Sequence, residues 1–282
     1  MNEHHNRVVL ITGASSGIGQ ACANHLHQKG YRVYGTSRQA RPHTTKISKA
    51  EDIHSTAFEM IQMDVDYDDS VAQGVDFILD KEGRLDVVVN NAGFGIAGSV
   101  ENTTIEEAKS QFDTNFFGAV RLCRAVLPII RKQKYGYIVN ISSVAGLISV
   151  PFQGMYSASK FALEGMTEAL HMEVKPFDIH IVLIEPSDFR TQFTANRRKT
   201  LASHQNAVYL EKFTTSLGVT EAGETRGPSP VKIAHLLEHI LDTPSPRLRY
   251  PVGPSSGVAI ILKKVLPSRL FERVLMKYYK LL

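Results

Sequence analysis

The sequence predicts an α/β fold: a doubly wound parallel sheet of about seven strands with a C-terminal helical extension. Three observations predict it. Short β-branched runs alternate with longer helical patterns along most of the 282 residues. The runs are apolar almost without interruption, as strands buried on both faces by crossover helices must be. A glycine-rich turn joins the first run to the first helical pattern, the context in which such turns carry phosphate.

The strands read in order at RVVLIT (7–12), RVYGTS (32–37), FEMIQMDV (58–65), LDVVVNN (85–91), GYIVNIS (136–142) and IHIVLIEP (179–186), with a weaker one at RLRYPV (247–252). Helical patterns fill 17–29, 68–82, 105–133, 154–175 and 230–242. Strand followed by helix, repeated this often, argues for one doubly wound sheet. Pro128 lies inside the 105–133 pattern and is expected to kink or shorten that helix. Residues 38–57 and 187–229 read as polar and irregular. The second stretch is long enough to serve as a lid. No Pro/Gly-rich linker divides the chain, so 1–282 reads as a single domain, with a substrate lid at about 187–229 and helices at about 254–282.

Composition narrows the function. The 32 Lys and Arg against 28 Asp and Glu give a net charge of +4 with no long basic run, which argues against nucleic-acid binding. Cys22 and Cys123 are far apart and form no CxxC pair. They read as buried apolar residues in a reducing compartment. The N-terminus lacks a signal-peptide pattern, and no window of about 18 apolar residues exists to span a bilayer. A cytoplasmic protein is expected. The His4–His5 pair reads as a frayed tip.

After the first strand comes TGASSGIGQA, Thr12 to Ala21. In a turn of this kind one glycine permits the bend, another lets backbone approach a pyrophosphate, and a third lets the helix pack closely. The helix N-terminus then offers free N–H groups and a positive dipole end. No GKS or GKT follows, which excludes a mononucleotide phosphate loop.

Further on stand NNAG (Asn90 to Gly93), NISS (Asn140 to Ser143) and YSASK (Tyr156 to Lys160). With TGxxxGIG, and in this order over roughly residues 6–190, the chain resembles the short-chain dehydrogenase/reductase family, and loosely its steroid- and retinol-type subgroup. The resemblance implies a Rossmann-like fold that binds a nicotinamide dinucleotide through Gly13, Ser15, Ser16, Gly17, Ile18 and Gly19. It implies that Asp64, beside Val65, meets the adenine amino group, and that Asn91, Ala92 and Gly93 flank the adenine ribose. Pro186 and Thr191 would contact the nicotinamide carboxamide. The family's usual Pro-Gly at that point is Pro186-Ser187 here.

NAD-preferring relatives carry an acidic residue where this chain has Ser37. A neutral serine followed by the Arg38 guanidinium suits a 2′-phosphate instead, so the cofactor is expected to be NADP(H). The competing readings are a solvated surface arginine and an NAD enzyme. Ser16 lacks the second cation that many NADP-using relatives carry.

Tyr156 and Lys160 fall on one helical face. A fixed ammonium beside a phenol favours phenolate, and the positive charge of an oxidised nicotinamide acts in the same direction. A tyrosine so lowered is a usable general acid/base. The resemblance assigns Ser143 to the substrate oxygen, with Ser142 competing. It assigns Asn115 to a water beside the lysine, and Lys160 also to the nicotinamide ribose. The reaction implied is transfer of the 4-pro-S hydride between nicotinamide and a carbonyl or secondary alcohol, with no metal.

Phe94, Ile96, Leu147, Val150, Phe152, Phe189, Phe193, Val208, Tyr209 and Phe213 are candidates to wall an apolar pocket for a lipophilic ketone or alcohol. A nicotinamide-sensing regulator on the same fold is the alternative of a different class, yet none of Asn115, Ser143, Tyr156 and Lys160 is missing. An epimerase or dehydratase would show TGxxGxxG, which is absent.

HLLEH, His235 to His239, matches an inverted zinc-protease pattern but also an ordinary amphipathic helix. The tail VAIILKKVLPSRLFERVLMKYYKLL is expected to form two amphipathic helices split at Pro267 that cover the substrate cleft, with a membrane-surface or oligomer-contact element as the minor reading. A homodimer or homotetramer through the long crossover helices is expected from the resemblance.

Overall fold

The computed structural model describes residues 6–39, 58–254 and 256–282. The His4–His5 pair and most of the predicted irregular segment 38–57 lie outside the described residues. In chain order the first half forms β1 (Val8–Ile11), α1 (Gly17–Gln28), β2 (Arg32–Ser37), β3 (Glu59–Gln62), α2 (Asp68–Glu82), β4 (Val87–Asn90), β5 (Ile96–Ala97), α3 (Ile105–Phe112) and α4 (Gly118–Gln133). The second half forms β6 (Gly136–Ile141), α5 (Gly154–Val174), β7 (Ile179–Pro186), α6 (Phe193–Asn196), β8 (Arg198–Lys199), α7 (Leu201–Gln205), α8 (Ala207–Arg226), α9 (Val231–Asp242), β9 (Arg249–Val252), α10 (Ser256–Val265) and α11 (Ser268–Tyr278).

Seven strands form one sheet in the order β3-β2-β1-β4-β6-β7-β9, and every neighbouring pair is parallel. The chain winds outward from β1 to β3, then returns to place β4 on the other side of β1. That reversal opens a crevice at the carboxyl ends of β1 and β4. β1 shows why its run is wholly apolar: Val9 and Ile11 join one core layer with Cys22, Leu26, Ile233 and Leu237, from α1 and α9. Val8 and Leu10 join the opposite layer with Val71, Leu122, Val126 and Leu170, from α2, α4 and α5. The two free cysteines are therefore divided by the sheet, Cys22 on one face and Cys123 on the other. Burial pushes both thiols up to about 12.

The predicted 105–133 helix is interrupted, but not at proline. A π-helical turn, Asp113–Phe117, separates α3 from α4. α4 continues through Pro128. The carbonyl that Pro128 cannot serve belongs to Arg124, one turn earlier, and both residues face solvent, where water can serve it. The 187–229 stretch is also not irregular: it contains α6, α7 and the 20-residue α8. β8 pairs with β5 in a separate two-stranded ladder, Ile96 with Arg198 and Ala97 with Lys199.

In HLLEH, His235 and Glu238 serve helix packing, and His239 is exposed. Glu238 of α9 binds His25 Nε2 at 2.6 Å and Lys29 Nζ at 2.8 Å, both from the α1 end. His235 stacks on His25 with ring centroids 4.4 Å apart. His25, His235 and Glu238 converge, but both Glu238 oxygens are already engaged and His239 is not in the group.

Candidate active site

The crevice opens into one cavity of about 940 Å³. Its dinucleotide end is built by the turn after β1. Gly13 and Gly17 have φ of +66° and +59°, a left-handed backbone that side chains resist. Gly19 meets a different demand. A Cβ there would stand 2.5 Å from the Gly13 carbonyl oxygen and collide with the Asn91 amide, so only glycine lets α1 pack this closely. Asn91 in turn clasps the loop: its Nδ2 donates to Thr12 O at 2.8 Å and Gly13 O at 3.1 Å. Thr12 Oγ1 accepts from the backbone N–H of Asn91 and of Ala92, each at 3.0 Å.

Ser16 is the N-cap of α1, and its side chain makes no capping bond. The first N–H groups of α1 thus have neither intrahelical nor side-chain acceptors, which suits an anion. Gly13, Ser15, Ser16, Gly17, Ile18, Ser37, Arg38, Asp64, Val65, Asn91, Ala92 and Gly93 all line the cavity. Gly19 does not. A cavity bordered by donor backbone and by Arg38 fits a dinucleotide phosphate chain.

At the other end Ser143, Tyr156, Lys160, Pro186 and Thr191 line the same cavity. A chain of buried amides positions them. Asn90 Nδ2 donates to Asn140 Oδ1 at 2.8 Å, and Asn140 Nδ2 donates to Thr167 Oγ1 at 2.8 Å. This bolts β4, β6 and α5 together at the level of the crevice. Ser143 follows β6, where its Oγ accepts from the Ala145 N–H at 3.1 Å and lies 3.4 Å from the Pro186 carbonyl. Ser142 also lines the cavity, but its hydroxyl is buried beside Glu164. Ser143 is the serine that reaches the phenol. Ser187 replaces glycine without a left-handed backbone, and its hydroxyl donates to Pro254 O at 2.9 Å.

The electrostatics differ from the sequence expectation. Lys160 Nζ donates to the Ile141 carbonyl at 2.8 Å, and burial, opposed by Glu164, lowers its pKa to about 8. Burial pushes the Tyr156 phenol up to about 12; the Ser143 hydroxyl and Arg197 pull it down and Glu224 pushes it further up. The lysine is directed to the end of β6 rather than at the phenol. The protein groups alone therefore favour the neutral phenol.

Asn115 lies outside the main cavity, on the π-helical turn. Its Oδ1 accepts from Phe94 N and its Nδ2 donates to Phe94 O, both at 3.0 Å, and Nδ2 also reaches Ser159 Oγ at 3.3 Å. It shares with Lys160 a void of about 10 Å³, close to the size of one water.

Sequence reasoning missed a group beneath the site. Glu164 lies one turn after Lys160 on α5, and Glu185 precedes Pro186 on β7; both are buried. Arg249 of β9 bridges them, with Nη2 2.9 Å from Glu164 Oε2 and Nε 3.1 Å from Glu185 Oε1. Burial and the neighbouring Glu164 push Glu185 up to about 7. The only sequence signal was a carboxylate inside an apolar strand, in IHIVLIEP.

Of the predicted pocket residues, Phe94, Val150, Phe189 and Phe193 line the cavity, and the Phe193 ring lies 5.5 Å from that of Tyr156. Ile96, Leu147, Phe152, Val208, Tyr209 and Phe213 do not. Phe213 instead packs with Ala97 and Leu217, and Val208 is exposed. Val144 and Ile148 add apolar wall, and the tail supplies more: Leu262 of α10 and Phe271, Leu275 and Tyr278 of α11.

The chain's similarities agree with this architecture. The family model of short chain dehydrogenases matches residues 7–202. A 3-ketodihydrosphingosine reductase of Bacteroides thetaiotaomicron is 42% identical over 274 residues, 97% of this chain and 98% of that one. Retinol dehydrogenase 8 of Bos taurus is 36% identical over 277 residues, covering 93% and 86%. The crystal structure of a short-chain dehydrogenase from Streptomyces avermitilis superposes with a TM-score of 0.80 at 32% identity, covering 98% and 97%. The protein is a member of the short-chain dehydrogenase/reductase family, a hydride-transferring oxidoreductase that uses a nicotinamide cofactor.

Proposed function

We propose that the chain catalyses NADP(H)-dependent interconversion of a lipophilic ketone and its secondary alcohol. The observation that carries this reading is one continuous cavity: the glycine turn and Arg38 border one end, Ser143 and Tyr156 the other, beneath an apolar roof from α10 and α11. Relatives named for 3-ketodihydrosphingosine, a ketone, and for retinol, a primary alcohol, are both named for lipophilic compounds and support a lipophilic substrate.

Bound NADPH supplies the hydride, and the chain's own residues do the rest. The first turn of α1 takes the pyrophosphate, Ser37 and Arg38 the 2′-phosphate, and Asp64 with Val65 the adenine. Asn91, Ala92 and Gly93 flank the ribose; Pro186 and Thr191 hold the carboxamide. Ser143 donates to the substrate oxygen, and Tyr156 delivers its proton there as the carbonyl is reduced. A phenol kept neutral by burial is in the right state to donate. Lys160 holds the nicotinamide ribose, and a water in the void it shares with Asn115 would link the lysine to solvent, from which the proton that Tyr156 gives up is replaced. α6 to α8 form the lid, and the whole chain acts as a single domain. It works in the cytoplasm as a homodimer or homotetramer, for which the exposed Phe117 of the π-helical turn before α4 and Met172 of α5 provide apolar surface.

NADPH oxidation measured against ketones of increasing alkyl length tests the reading. Turnover that rises in kcat/KM with chain length supports it. Absence of turnover across the series, or preference for short anionic carbonyl compounds, contradicts it.

A further inference from the structure

The roof of the cavity has an outer surface, and it is apolar in a regular way. On α10, Val258, Ile261 and Val265 recur at helical spacing and are 63%, 61% and 73% exposed. On α11, Leu270, Val274 and Tyr278 recur every fourth residue and are 46%, 40% and 56% exposed. Such stripes normally face a core. Here the core-facing positions are held by other residues, such as Phe271, which is buried.

Charge is arranged around these stripes. Residues 256–282 contain Lys263, Lys264, Arg269, Arg273, Lys277 and Lys280 against Glu272 alone, a net of +5. The whole chain carries +4, so the other 255 residues together carry −1. Lys263 ties the pair to the body, donating to the Leu147 carbonyl and sitting 5.0 Å above the Phe161 ring. Lys264, Arg269, Arg273, Lys277 and Lys280 are exposed. No helix among the described residues is long and apolar enough to cross a membrane.

Val258, Val274 and Tyr278 belong to both surfaces: they are exposed, and they line the cavity. The apolar stripes thus run to the mouth of the cleft.

We propose that α10 and α11 form a docking face for an anionic lipid bilayer, seating the cavity mouth at the membrane surface. Two amphipathic helices with cations flanking the apolar stripe lie in the interface of such a bilayer rather than across it. A second copy of this face is disfavoured as occupant, because two +5 surfaces repel. Passage of a lipophilic substrate from the bilayer into the cleft rests on the function proposed above; the docking itself does not.

The test is cosedimentation of the full chain with phosphatidylcholine vesicles, with and without added phosphatidylglycerol. The expected result is at least tenfold tighter association with the anionic vesicles, lost at high salt. Ile261→Ser/Val265→Ser/Leu270→Ser and Lys264→Glu/Arg269→Glu/Arg273→Glu should each weaken it at least tenfold. Both variants should keep NADPH-linked turnover of a small water-soluble ketone, since none of the six residues lines the cavity. Should a variant misfold, hydrogen exchange on the unaltered protein decides: vesicles should protect α10 and α11 and little else. Equal affinity for both vesicle types, unaltered binding by the variants, or protection elsewhere overturns the proposal. So does a wild-type dimer that the variants dissociate without any vesicle binding, which would assign the face to a second copy. Vesicle binding without turnover of any ketone would remove the enzymatic reading and leave the docking face standing.

Discussion

The Lys160 ammonium is hydrogen-bonded to the Ile141 carbonyl across 2.8 Å, not to Tyr156 one helical turn before it. Its position is therefore fixed by the last residue of β6, at the floor of the crevice. Burial lowers its pKa to about 8, so between about 8 and 10.5 the folded state binds fewer protons than the unfolded state. Stability attributable to this group then rises with pH across that window. Lys160→Met should be more stable than wild type at pH 7, with the advantage shrinking from pH 8 upward in denaturant titrations. Turnover should fall by about 10²–10⁴-fold.

Glu185 has the opposite sign. Its folded pKa is raised to about 7 from 4.5, so in that interval the folded state holds a proton the unfolded state has lost. The stability contributed by this group should fall as pH rises from about 4.5 to 7 and level off beyond. The groups facing it are Glu164 of α5 and Arg249 of β9; Glu164 in turn meets Ser142 after β6 and feels Lys160. Glu185→Gln lacks this contribution, so the variant should gain on wild type as pH rises toward 7. Parallel stability–pH curves would contradict the assignment.

The absence of a side chain at Gly19 is set by packing. Gly19→Ala places a methyl against the Gly13 carbonyl and the Asn91 amide. Forcing that contact is expected to cost about 1–3 kcal/mol of stability and to weaken cofactor binding, because Asn91 holds the turn. Thermal unfolding and fluorescence titration with NADPH measure the two effects.

Cofactor choice turns on Ser37 and Arg38. Ser37→Asp with Arg38→Ala puts a carboxylate where a 2′-phosphate would lie and removes its cation. The ratio of kcat/KM for NADPH over NADH should drop by about 100-fold, roughly 3 kcal/mol for a lost charge-assisted pair and new repulsion. An unchanged ratio would rule out NADP preference by this route.

Much of the frame was legible in the chain because it is local. VVLI and the three valines of VVVN are apolar since each face of the sheet is covered, and the glycine turn has its meaning from three glycines within seven residues, Gly13, Gly17 and Gly19. Other features have no local signature. α8, AVYLEKFTTSLGVTEAGETR, mixes Thr and Gly through its length and shows no clean apolar stripe, so it read as loop. The π-helical turn at Asp113–Phe117, DTNFF, holds neither proline nor glycine to mark it, whereas Pro128 is the one proline in the segment. Glu164, Glu185 and Arg249 come from three elements and meet only because β7 pairs with β9 over α5. The tail reads as two amphipathic helices over the cleft; which of its residues, such as the half-buried Leu275, line the cavity is set only by the tertiary fold.

The central claim is that the Tyr156 phenol passes the proton. Tyr156→Phe removes one oxygen and leaves the ring against Phe193. With NADPH and the best ketone substrate, kcat should fall by about 10²–10⁴-fold while NADPH binding persists. Full turnover in that variant would contradict the mechanism.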